Sequence, residues 1–290
     1  MSKRITFSKV LKLDPKWVCK KIDQFLCEDM PEGDLTTEST VSENRNVVAQ
    51  VIAAEEFVFC GEQVLPYCFS ENCSVELNIR DGEKVSTKTL IADISGPAKD
   101  ILLHERVMLN LLSHICGISS ETRKCIDLGL PEGFLLLDTR KTTPGLRLFE
   151  KYAVAVGGGT NHRLDLSSAI LIKDNHIHSA GGVKKVIATI KSGSGNSIPI
   201  ELEVDTFDQL REGLDCDVDG FLLDNMDPAE VREAVKIIRS HRGGEDIFVE
   251  ASGGIDYKSL QQYAVTGIDA VSMSSLTIGA KAVDIKMDFV

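Results

Sequence analysis

The chain has 290 residues, of which 43% are hydrophobic and 26% charged, and its formal net charge is −12. This length exceeds the roughly 100–200 residues of a single domain and favours one large or two unequal domains. The acidic balance argues against nucleic acid as a partner, because phosphate backbones need a basic surface. No apolar run approaches the ~20 residues of a membrane span, and no apolar block followed by small residues opens the chain, so we expect a cytoplasmic protein.

Cysteine spacing points to the same compartment. The eight cysteines are at positions 19, 27, 60, 68, 73, 116, 125 and 216 and form neither CxxC nor Cys/His spacing typical of zinc. Most stand beside apolar residues. The sequence therefore predicts reduced thiols packed as small hydrophobes, in place of a disulfide framework.

The first ~110 residues predict an α+β region. Apolar positions recur with helical period over 8–29, and Pro15 marks a helix start. Short β-like runs follow at 47–54, 57–60, 74–79 and 89–94, and a long amphipathic helical pattern covers 101–128. We expect this last helix to link the two parts of the chain.

The pattern then changes to strands that alternate with helices. Apolar runs recur at 134–137, 169–172, 198–204, 220–223, 247–250 and 269–273. Helix-compatible segments lie between most of them, at 182–191, 206–213, 228–240 and 257–265. Such alternation is typical of βαβ units and predicts a parallel sheet.

Polar residues follow nearly every one of these apolar runs. They are, in chain order, Asp138 to Lys141, Lys173 to His176, Glu203 and Asp205, Asp224 and Asn225, Ser252 to Gly254, and Ser274 and Ser275. In a β/α barrel the carboxyl ends of the strands converge on one mouth, so we expect these groups to face a common space. The pattern is typical of a barrel active site.

Basic residues cluster in one stretch of this acidic chain. Positions 140 to 173 hold six basic and two acidic residues, a net charge of +4. These are Arg140, Lys141, Arg147, Lys151, Arg163 and Lys173 against Glu150 and Asp165. A local cationic cluster suits a small, highly anionic ligand better than a polymer. The alternative is that the two arginines only form surface salt bridges with Glu150 and Asp165.

Two acids at successive strand ends, Glu203 and Asp224, are the best candidates for a metal site. Mg²⁺ prefers one or two carboxylates together with substrate phosphates and water. The alternative is a pair of structural acids bridged to Lys141 and Lys173. Further along, Ser252-Gly253-Gly254 precedes a helical segment, so its backbone N–H groups could hold a phosphate.

Several motifs resemble the quinolinate phosphoribosyltransferase family. They are DTRKTTPGLR at 138–147, EKYAV at 150–154, GGG at 157–159 with NHR at 161–163, and LIKDNH at 171–176. GDLTT at 33–37, DGEKV at 81–85, ELEVD at 201–205, LLDNM at 222–226 and ASGGI at 251–255 extend the resemblance over nearly the whole chain.

The resemblance implies a fold and a reaction. It implies an incomplete, TIM-like (β/α) barrel of the type II phosphoribosyltransferase kind with an N-terminal α+β sandwich domain. We place the sandwich at 1–115 and the barrel at 116–276, with a tail at 277–290 that packs back on the sandwich. The implied reaction joins quinolinate to phosphoribosyl pyrophosphate and decarboxylates the product to nicotinate mononucleotide, a step of NAD biosynthesis.

The resemblance also implies site residues. Those for quinolinate and the sugar phosphate are Arg106, Arg140, Lys141, His162, Arg163, Lys173, Glu203, Asp224, Ser252, Gly253, Gly254 and Ser274. Within this set, Lys141, Lys173, Glu203 and Asp224 are expected to act in catalysis, and Glu203 and Asp224 to bind Mg²⁺. We interpret His162 as a neutral or cationic donor to a carboxylate.

A homodimer, or a higher oligomer built from it, is the expected catalytic unit, because the family's match to Arg106 reaches into the neighbouring subunit's site. One departure concerns the loop after the last strand, where the family pattern has glycine and this chain has Ser274. A serine N–H still binds phosphate, but the backbone approach is more crowded.

The sequence leaves other functions open. The barrel could be a Schiff-base aldolase with Lys173 or Lys141 as nucleophile. It could be a related phosphoribosyltransferase that acts on another aromatic acid. A non-catalytic anion-binding or scaffold protein is the third alternative and predicts ligand binding without pyrophosphate release.

Overall fold

The computed structural model describes residues 5–42, 44–193 and 198–290. The chain divides into two compact units. The barrel unit contains residues 5–8, Cys125–Thr142 and Gly159–Ser275, and the sandwich unit contains Lys9–Lys124, Thr143–Gly158 and Leu276–Val290. This division differs from the boundary at 115 drawn from the sequence, because one helix runs without a break through that position. Residues 1–4 of the expected N-terminal domain lie outside the described residues.

The helices and strands alternate along the chain as follows. The sandwich half begins with α1 Pro15–Asp29, α2 Leu35–Thr40, β1 Asn46–Ala53, β2 Phe57–Val58, β3 Ser74–Leu77, β4 Lys84–Val85, β5 Leu90–Pro97 and α3 Ala98–Ile126. Then come β6 Leu135–Leu137, α4 Arg147–Val156, β7 Ile170–Ile172, α5 Asp174–Ala180, α6 Val183–Ser192, β8 Ile200–Val204, α7 Phe207–Leu214 and β9 Gly220–Asp224. The chain ends with α8 Pro228–Ser240, β10 Phe248–Ser252, α9 Leu260–Ala264, β11 Ala270–Ser272 and β12 Ile285–Phe289.

The first helix begins at Pro15, as predicted, although the apolar pattern extends back to residue 8. Asp14 caps α1 by accepting a hydrogen bond from the Lys16 N–H at 3.1 Å, and Pro15 occupies the first turn. An acidic N-cap followed by proline fixes a helix start, because the cap satisfies a free N–H and proline has none to lose. Val18, Ile22 and Leu26 then form the buried stripe of the helix.

The sandwich unit is built on an antiparallel sheet with strand order β12-β1-β5-β3. The last strand of the chain pairs with the first, with Val51 opposite Met287. A close backbone approach accompanies this return, since a Cβ at Gly117 on α3 would lie 2.1 Å from the carbonyl oxygen of Lys281. Only glycine fits there, so α3 and the C-terminal segment pack backbone to backbone.

Helix α3 is long and apolar enough to cross a membrane by length and composition alone. Half of its most apolar window is buried inside the protein, however, and Met108, Leu112 and Ile115 on it are fully buried. The core helix of a globular protein has these same properties, because it must present an apolar stripe to its neighbours.

The barrel unit contains a six-stranded parallel sheet with strand order β6-β11-β10-β9-β8-β7. Strands β6 and β7 are the two edges of this sheet, so the barrel is open between them. The segment at 160–163 runs along the β6 edge, where the Thr160 N–H donates to the Leu136 carbonyl at 2.8 Å. The predicted parallel, incomplete barrel is therefore confirmed.

Several elements were not foreseen. They are α2, α4, α5, β4 and β12, each of which has ten residues or fewer. Short elements carry little periodic signal, and tertiary contacts decide whether they form. Helix α4 illustrates this, because its charged residues Glu150 and Lys151 are buried together with Phe149 and Tyr152.

Candidate active site

A cavity of about 360 Å³ opens at the carboxyl ends of the barrel strands. Every second residue of a strand faces this cavity, because successive side chains of a strand point to opposite faces of the sheet. Leu222 and Asp224 of β9 face it, as do Glu250 and Ser252 of β10. The full lining is Thr139, Arg140, Lys141, His162, Arg163, Leu171, Lys173, Glu203, Leu222, Asp224, Glu250, Ser252 and Ser272.

Most of the expected site residues lie in this lining. They are Arg140, Lys141, His162, Arg163, Lys173, Glu203, Asp224 and Ser252. Gly253 and Gly254 continue from Ser252, and Ser274 lies in a short 3₁₀ turn after β11, outside the lining. Arg106 is an exposed residue of α3 in the sandwich unit. The structure thus brings eight of the twelve residues together, and their roles in binding stay predictions.

Arg140 and Arg163 form the basic side of the cavity. The Nη1 of Arg163 donates to the Ala169 carbonyl oxygen at 3.2 Å, which fixes its direction. Burial lowers the pKa of Arg163, and the neighbouring Arg140 charge lowers it further. The Nε of Arg140 is buried and has no hydrogen-bond partner among the described residues. Two close guanidinium groups with unused donors are suited to a bidentate anion.

The surface salt bridges considered for these arginines do not form with the expected partners. Glu150 accepts hydrogen bonds from His114 at 2.8 Å and from the Thr143 N–H at 3.2 Å. Asp165 accepts from Ser167 and Ser168, each at 2.7 Å. Both carboxylates are thus occupied elsewhere, which favours the ligand-binding interpretation of the arginines.

Glu203 and Asp224 form the acidic side, at the ends of the neighbouring strands β8 and β9. Burial raises the pKa of both carboxyl groups, while Lys173 opposes the shift by an ion pair with Glu203 and by its charge near Asp224. Lys141 also acts on Asp224 by its charge. Carboxylates that are costly to keep ionised are stabilised by any added cation, so the pair is chemically suited to Mg²⁺.

A buried cluster of His162, Glu201 and Glu250 lies deeper in the barrel. His162 Nε2 lies 3.4 Å from Glu250 Oε2 and 3.7 Å from Glu201 Oε2. Burial and the Glu250 charge raise the pKa of Glu201 to about 8. Burial alone would lower the pKa of His162, but the acidic neighbours outweigh it and the pKa is raised.

Sequence reasoning missed Glu201 and Glu250. A signal was available, because Glu201 precedes Glu203 by two residues and Glu250 precedes Ser252 by two. Residues two apart on a strand have side chains on the same face. The residue two positions before a cavity-facing residue is therefore expected to face the barrel interior below the cavity. A charged residue at that deeper position of an apolar strand is the feature to look for.

His162 is held by hydrogen bonds at its backbone and its ring. Its N–H donates to Asp138 Oδ1 at 2.8 Å, and Asn161 Nδ2 donates to Asp138 Oδ2 at 2.7 Å. Its ring Nδ1 accepts a hydrogen bond from the Arg163 N–H at 2.7 Å. Asp138, which is fully buried after β6, therefore anchors the segment that carries His162 and Arg163.

The glycines after β10 form a tight turn. Gly253 has φ of +94° and Gly254 has φ of +63°. A Cβ at Gly253 would lie 2.3 Å from Asn225 Oδ1, whereas a Cβ at Gly254 would meet nothing within 4 Å. Beside them, the Ser272 hydroxyl donates to the Ser252 hydroxyl at 3.0 Å. The turn thus exposes backbone close to two hydroxyl groups of the cavity wall.

An open parallel barrel whose strand ends place arginines and lysines opposite two carboxylates agrees with the type II phosphoribosyltransferase class that the resemblance implies. Residues 34–116 match the family model described as quinolinate phosphoribosyl transferase, N-terminal domain, and residues 118–288 match the model of its C-terminal domain. The chain belongs to the quinolinate phosphoribosyltransferase family. The resemblance drawn from the motifs is therefore confirmed.

Individual proteins agree with this assignment. The chain is 38% identical over 272 residues to the probable nicotinate-nucleotide pyrophosphorylase [carboxylating] of Bacillus subtilis, covering 93% of this chain and 92% of that protein. It is 33% identical to the human nicotinate-nucleotide pyrophosphorylase [carboxylating], covering 96% and 93% respectively. The structure of the nicotinate-nucleotide pyrophosphorylase from Francisella tularensis superposes with a TM-score of 0.89 at 33% identity, over 98% of this chain and 100% of that one.

Proposed function

We propose that this chain transfers the phosphoribosyl group of phosphoribosyl pyrophosphate to quinolinate and decarboxylates the product, forming nicotinate mononucleotide, CO₂ and pyrophosphate. The observation that carries the proposal is that Arg140, Arg163, Lys173, Glu203 and Asp224 line one cavity. Family membership supports the same reaction.

The basic side of the cavity supports binding of a ring with two adjacent carboxylates. Arg140 and Arg163 each offer a planar fork of donors, and such forks pair with carboxylates by two parallel hydrogen bonds. Their mutual repulsion falls when an anion lies between them. Quinolinate, with two negative charges at neighbouring ring carbons, meets this requirement.

The acidic side supports binding of the sugar and of Mg²⁺. Glu203 and Asp224 are the residues that would hold the ion, and their oxygen donors and raised pKa values fit a hard divalent cation. When bound, Mg²⁺ supplies charge neutralisation for the pyrophosphate group. The turn at Ser252-Gly253-Gly254 offers backbone to the 5′-phosphate at the same end of the barrel.

The reaction proceeds in two stages. The pyridine nitrogen of quinolinate forms a bond to the anomeric carbon as the bond from that carbon to pyrophosphate breaks, and the pyrophosphate oxygen keeps the electron pair. Glu203 and Asp224 stabilise the oxocarbenium-like transition state, while Lys141 and Lys173 balance charge on the leaving group. When the C–C bond to the adjacent carboxylate breaks and CO₂ leaves, the electron pair stays on the ring carbon, where the neighbouring cationic nitrogen stabilises it by its charge, and that carbon then takes up a proton.

The active assembly in this proposal is a homodimer in the cytoplasm. Arg106 is exposed on α3, as a residue contributed to a neighbouring subunit must be. The eight cysteines, all of them within the described residues, form no disulfide with one another, which fits a reducing compartment.

The Schiff-base alternative is less well supported. A lysine nucleophile must lose its proton, and apolar burial or a second cation promotes that loss. Lys173 instead forms an ion pair with Glu203, which is neither an apolar environment nor a second cation. Borohydride reduction with a carbonyl substrate should therefore leave no covalent adduct on the enzyme.

The decisive experiment is a reaction with defined substrates. Quinolinate, phosphoribosyl pyrophosphate and Mg²⁺ are mixed with the enzyme, and CO₂, pyrophosphate and nicotinate mononucleotide are measured. Nicotinate and other aromatic acids serve as control acceptors. Stoichiometric CO₂ and nucleotide from quinolinate alone support the proposal, whereas preferred turnover of another acid would favour the related-transferase alternative. Binding without pyrophosphate release would favour an anion-binding protein.

A further inference from the structure

The buried cluster of His162, Glu201 and Glu250 is not explained by substrate binding alone. Glu250 is fully buried, and both of its carboxylate oxygens lack a hydrogen bond within the described part of the chain. Its ion-pair contact is His162 Nε2 at 3.4 Å. The desolvation of a buried carboxylate destabilises the folded state unless hydrogen bonds or opposite charges offset it. We therefore look for a role of Glu250 other than stabilising the fold.

A metal ion is the first alternative to consider, because the possible ligand atoms of the three side chains lie within 4.8 Å of one another. The hydrogen bonding of His162 argues against it. Its Nδ1 accepts the Arg163 N–H at 2.7 Å and thus uses its lone pair there. A neutral imidazole has one protonated nitrogen and one acceptor, so Nε2 must carry the proton and cannot bind a metal.

The same hydrogen bond fixes the orientation of the His162 imidazole within the cluster. With Nδ1 fixed as an acceptor, Nε2–H points toward the buried carboxylates and is attracted to the negative charge of Glu250. The ring therefore links a buried acid to the backbone of Arg163. The ring of Phe7 packs against the imidazole with centroids 5.0 Å apart, which limits its tilt.

We propose that Glu250 is a positioning residue that, through the imidazole of His162, sets the backbone and thereby the guanidinium group of Arg163 for the substrate carboxylates. Glu201 lies near the same ring nitrogen, with its Oε2 3.7 Å from Nε2. From Arg163 the side chain runs to the Ala169 carbonyl and the cavity. This inference rests on the proposed function for the identity of the substrate, while the ring arrangement is independent of it.

Substitutions at Glu250 test the linkage. Glu250→Leu removes the acceptor at similar volume, and Glu250→Gln keeps an acceptor oxygen without the charge. We expect Glu250→Leu to raise KM for quinolinate about tenfold or more, with a smaller change in KM for phosphoribosyl pyrophosphate and in kcat. Glu250→Gln should recover much of the loss. Glu230→Gln, which removes one hydrogen bond of the α8 capping box, is the control for a lost glutamate outside the cavity lining.

The outcome that overturns the proposal is a lowered Tm in both Glu250 variants with an unchanged KM for quinolinate, since Glu250 would then serve stability only. If Glu250→Leu does not fold, Glu250→Met, which likewise removes the carboxylate acceptor, takes its place in the comparison with Glu250→Gln. Titration with Zn²⁺ in the absence of substrates separately tests whether the cluster is a metal site. Stoichiometric Zn²⁺ binding by the wild type that is lost in Glu250→Gln would overturn the proposal in favour of a metal site.

An activity-free measurement separates this proposal from the proposed function. The ¹⁵N NMR spectrum of the wild-type imidazoles should show His162 with a protonated Nε2 and an unprotonated Nδ1 at alkaline pH, and Glu250→Leu should change that pattern. A protonated Nδ1 in the neutral ring would overturn the proposal. If the wild type forms no nucleotide from quinolinate, the proposed function fails, and the NMR result still decides how His162 is held.

Discussion

Arg140 and Arg163 are the residues on which recognition of the acid substrate depends. Replacing either with alanine should lower kcat/KM for quinolinate, with a loss of transition-state stabilisation of several kcal/mol. The reason is that a charged donor to an anion is lost in a partly buried site. Steady-state kinetics with each substrate varied in turn measures the effect. Arg211→Ala, which removes an exposed arginine paired with Asp208, is the matched control. Near-normal kcat/KM in both cavity variants would refute the assignment.

Glu203 and Asp224 carry the expected metal dependence. The double variant Glu203→Gln with Asp224→Asn should lose activity together with its response to Mg²⁺, because amide oxygens are weaker ligands than carboxylates. Binding of Mn²⁺ followed by electron paramagnetic resonance provides a readout without turnover. Mg²⁺-stimulated turnover that persists in the double variant would remove both residues from the metal role.

Cysteine reactivity tests the environment of individual thiols. Burial raises the pKa of Cys116 to about 12 and that of Cys60 well above its usual value. Because the thiolate is the reactive form, both should resist iodoacetamide at pH 8 and gain reactivity only on unfolding or as pH approaches the raised pKa. Exposed Cys19 and Cys27 should be alkylated in the folded protein. Peptide mass spectrometry after timed labelling distinguishes the two groups, and early labelling of Cys116 would contradict the prediction.

For individual residues, the sequence predicted the polar side chains at the strand ends but not the charged side chains deeper along the same strands. Arg140, Lys173 and Asp224 follow apolar runs and Glu203 stands near the end of one, so their convergence was predictable from barrel geometry. Glu201 and Glu250 lie within those runs, where a charge is easily taken for an outward-facing residue. The direction of a strand side chain depends on register, which only the paired strands fix.

Among single elements, the turn after β10 offers a matched pair of substitutions. Both Gly253 and Gly254 have positive φ, but only the added Cβ at Gly253 would collide with Asn225. Gly253→Ala should therefore displace the turn and raise KM for phosphoribosyl pyrophosphate well above the value for Gly254→Ala, since both share the cost of positive φ. Equal effects of the two substitutions would show that the close approach to Asn225 is unimportant for phosphate binding.

Elements with a clear period were predictable, and elements held by their surroundings were not. The outer helices α6, α7 and α8 alternate with apolar strands, and their bounds lie within one residue of the sequence expectation. Helix α4 buries its charged residues Glu150 and Lys151 together with its apolar ones, so its sequence does not show which side faces the core. Helix α5 begins at Asp174, with Lys173 as its N-cap directly after β7, and its seven residues are too few to show a helical period.

For the protein as an assembly, the proposed dimer can be tested by mixing inactive subunits. If Arg106 serves the neighbouring site, Arg106→Ala and Lys173→Ala proteins should each be inactive alone. Co-refolding equal amounts should restore about a quarter of wild-type activity, because half of the randomly formed dimers contain one intact site. Light scattering of each variant confirms assembly. No recovered activity in verified mixed dimers would place both residues in the same subunit's site.

Local periodicity and residue type were enough to predict the alternation of strands and helices, the parallel sheet, and the polar groups at the strand ends. The three-dimensional fold was needed to show that β12 extends the sheet of the sandwich unit beside β1, that 160–163 lies along β6, and that Nε2 of His162 lies close to both Glu201 and Glu250. Such pairings join residues far apart in the chain. They depend on the path of the whole backbone and on the offsetting of buried charge by nearby groups. A local sequence pattern therefore does not predict them.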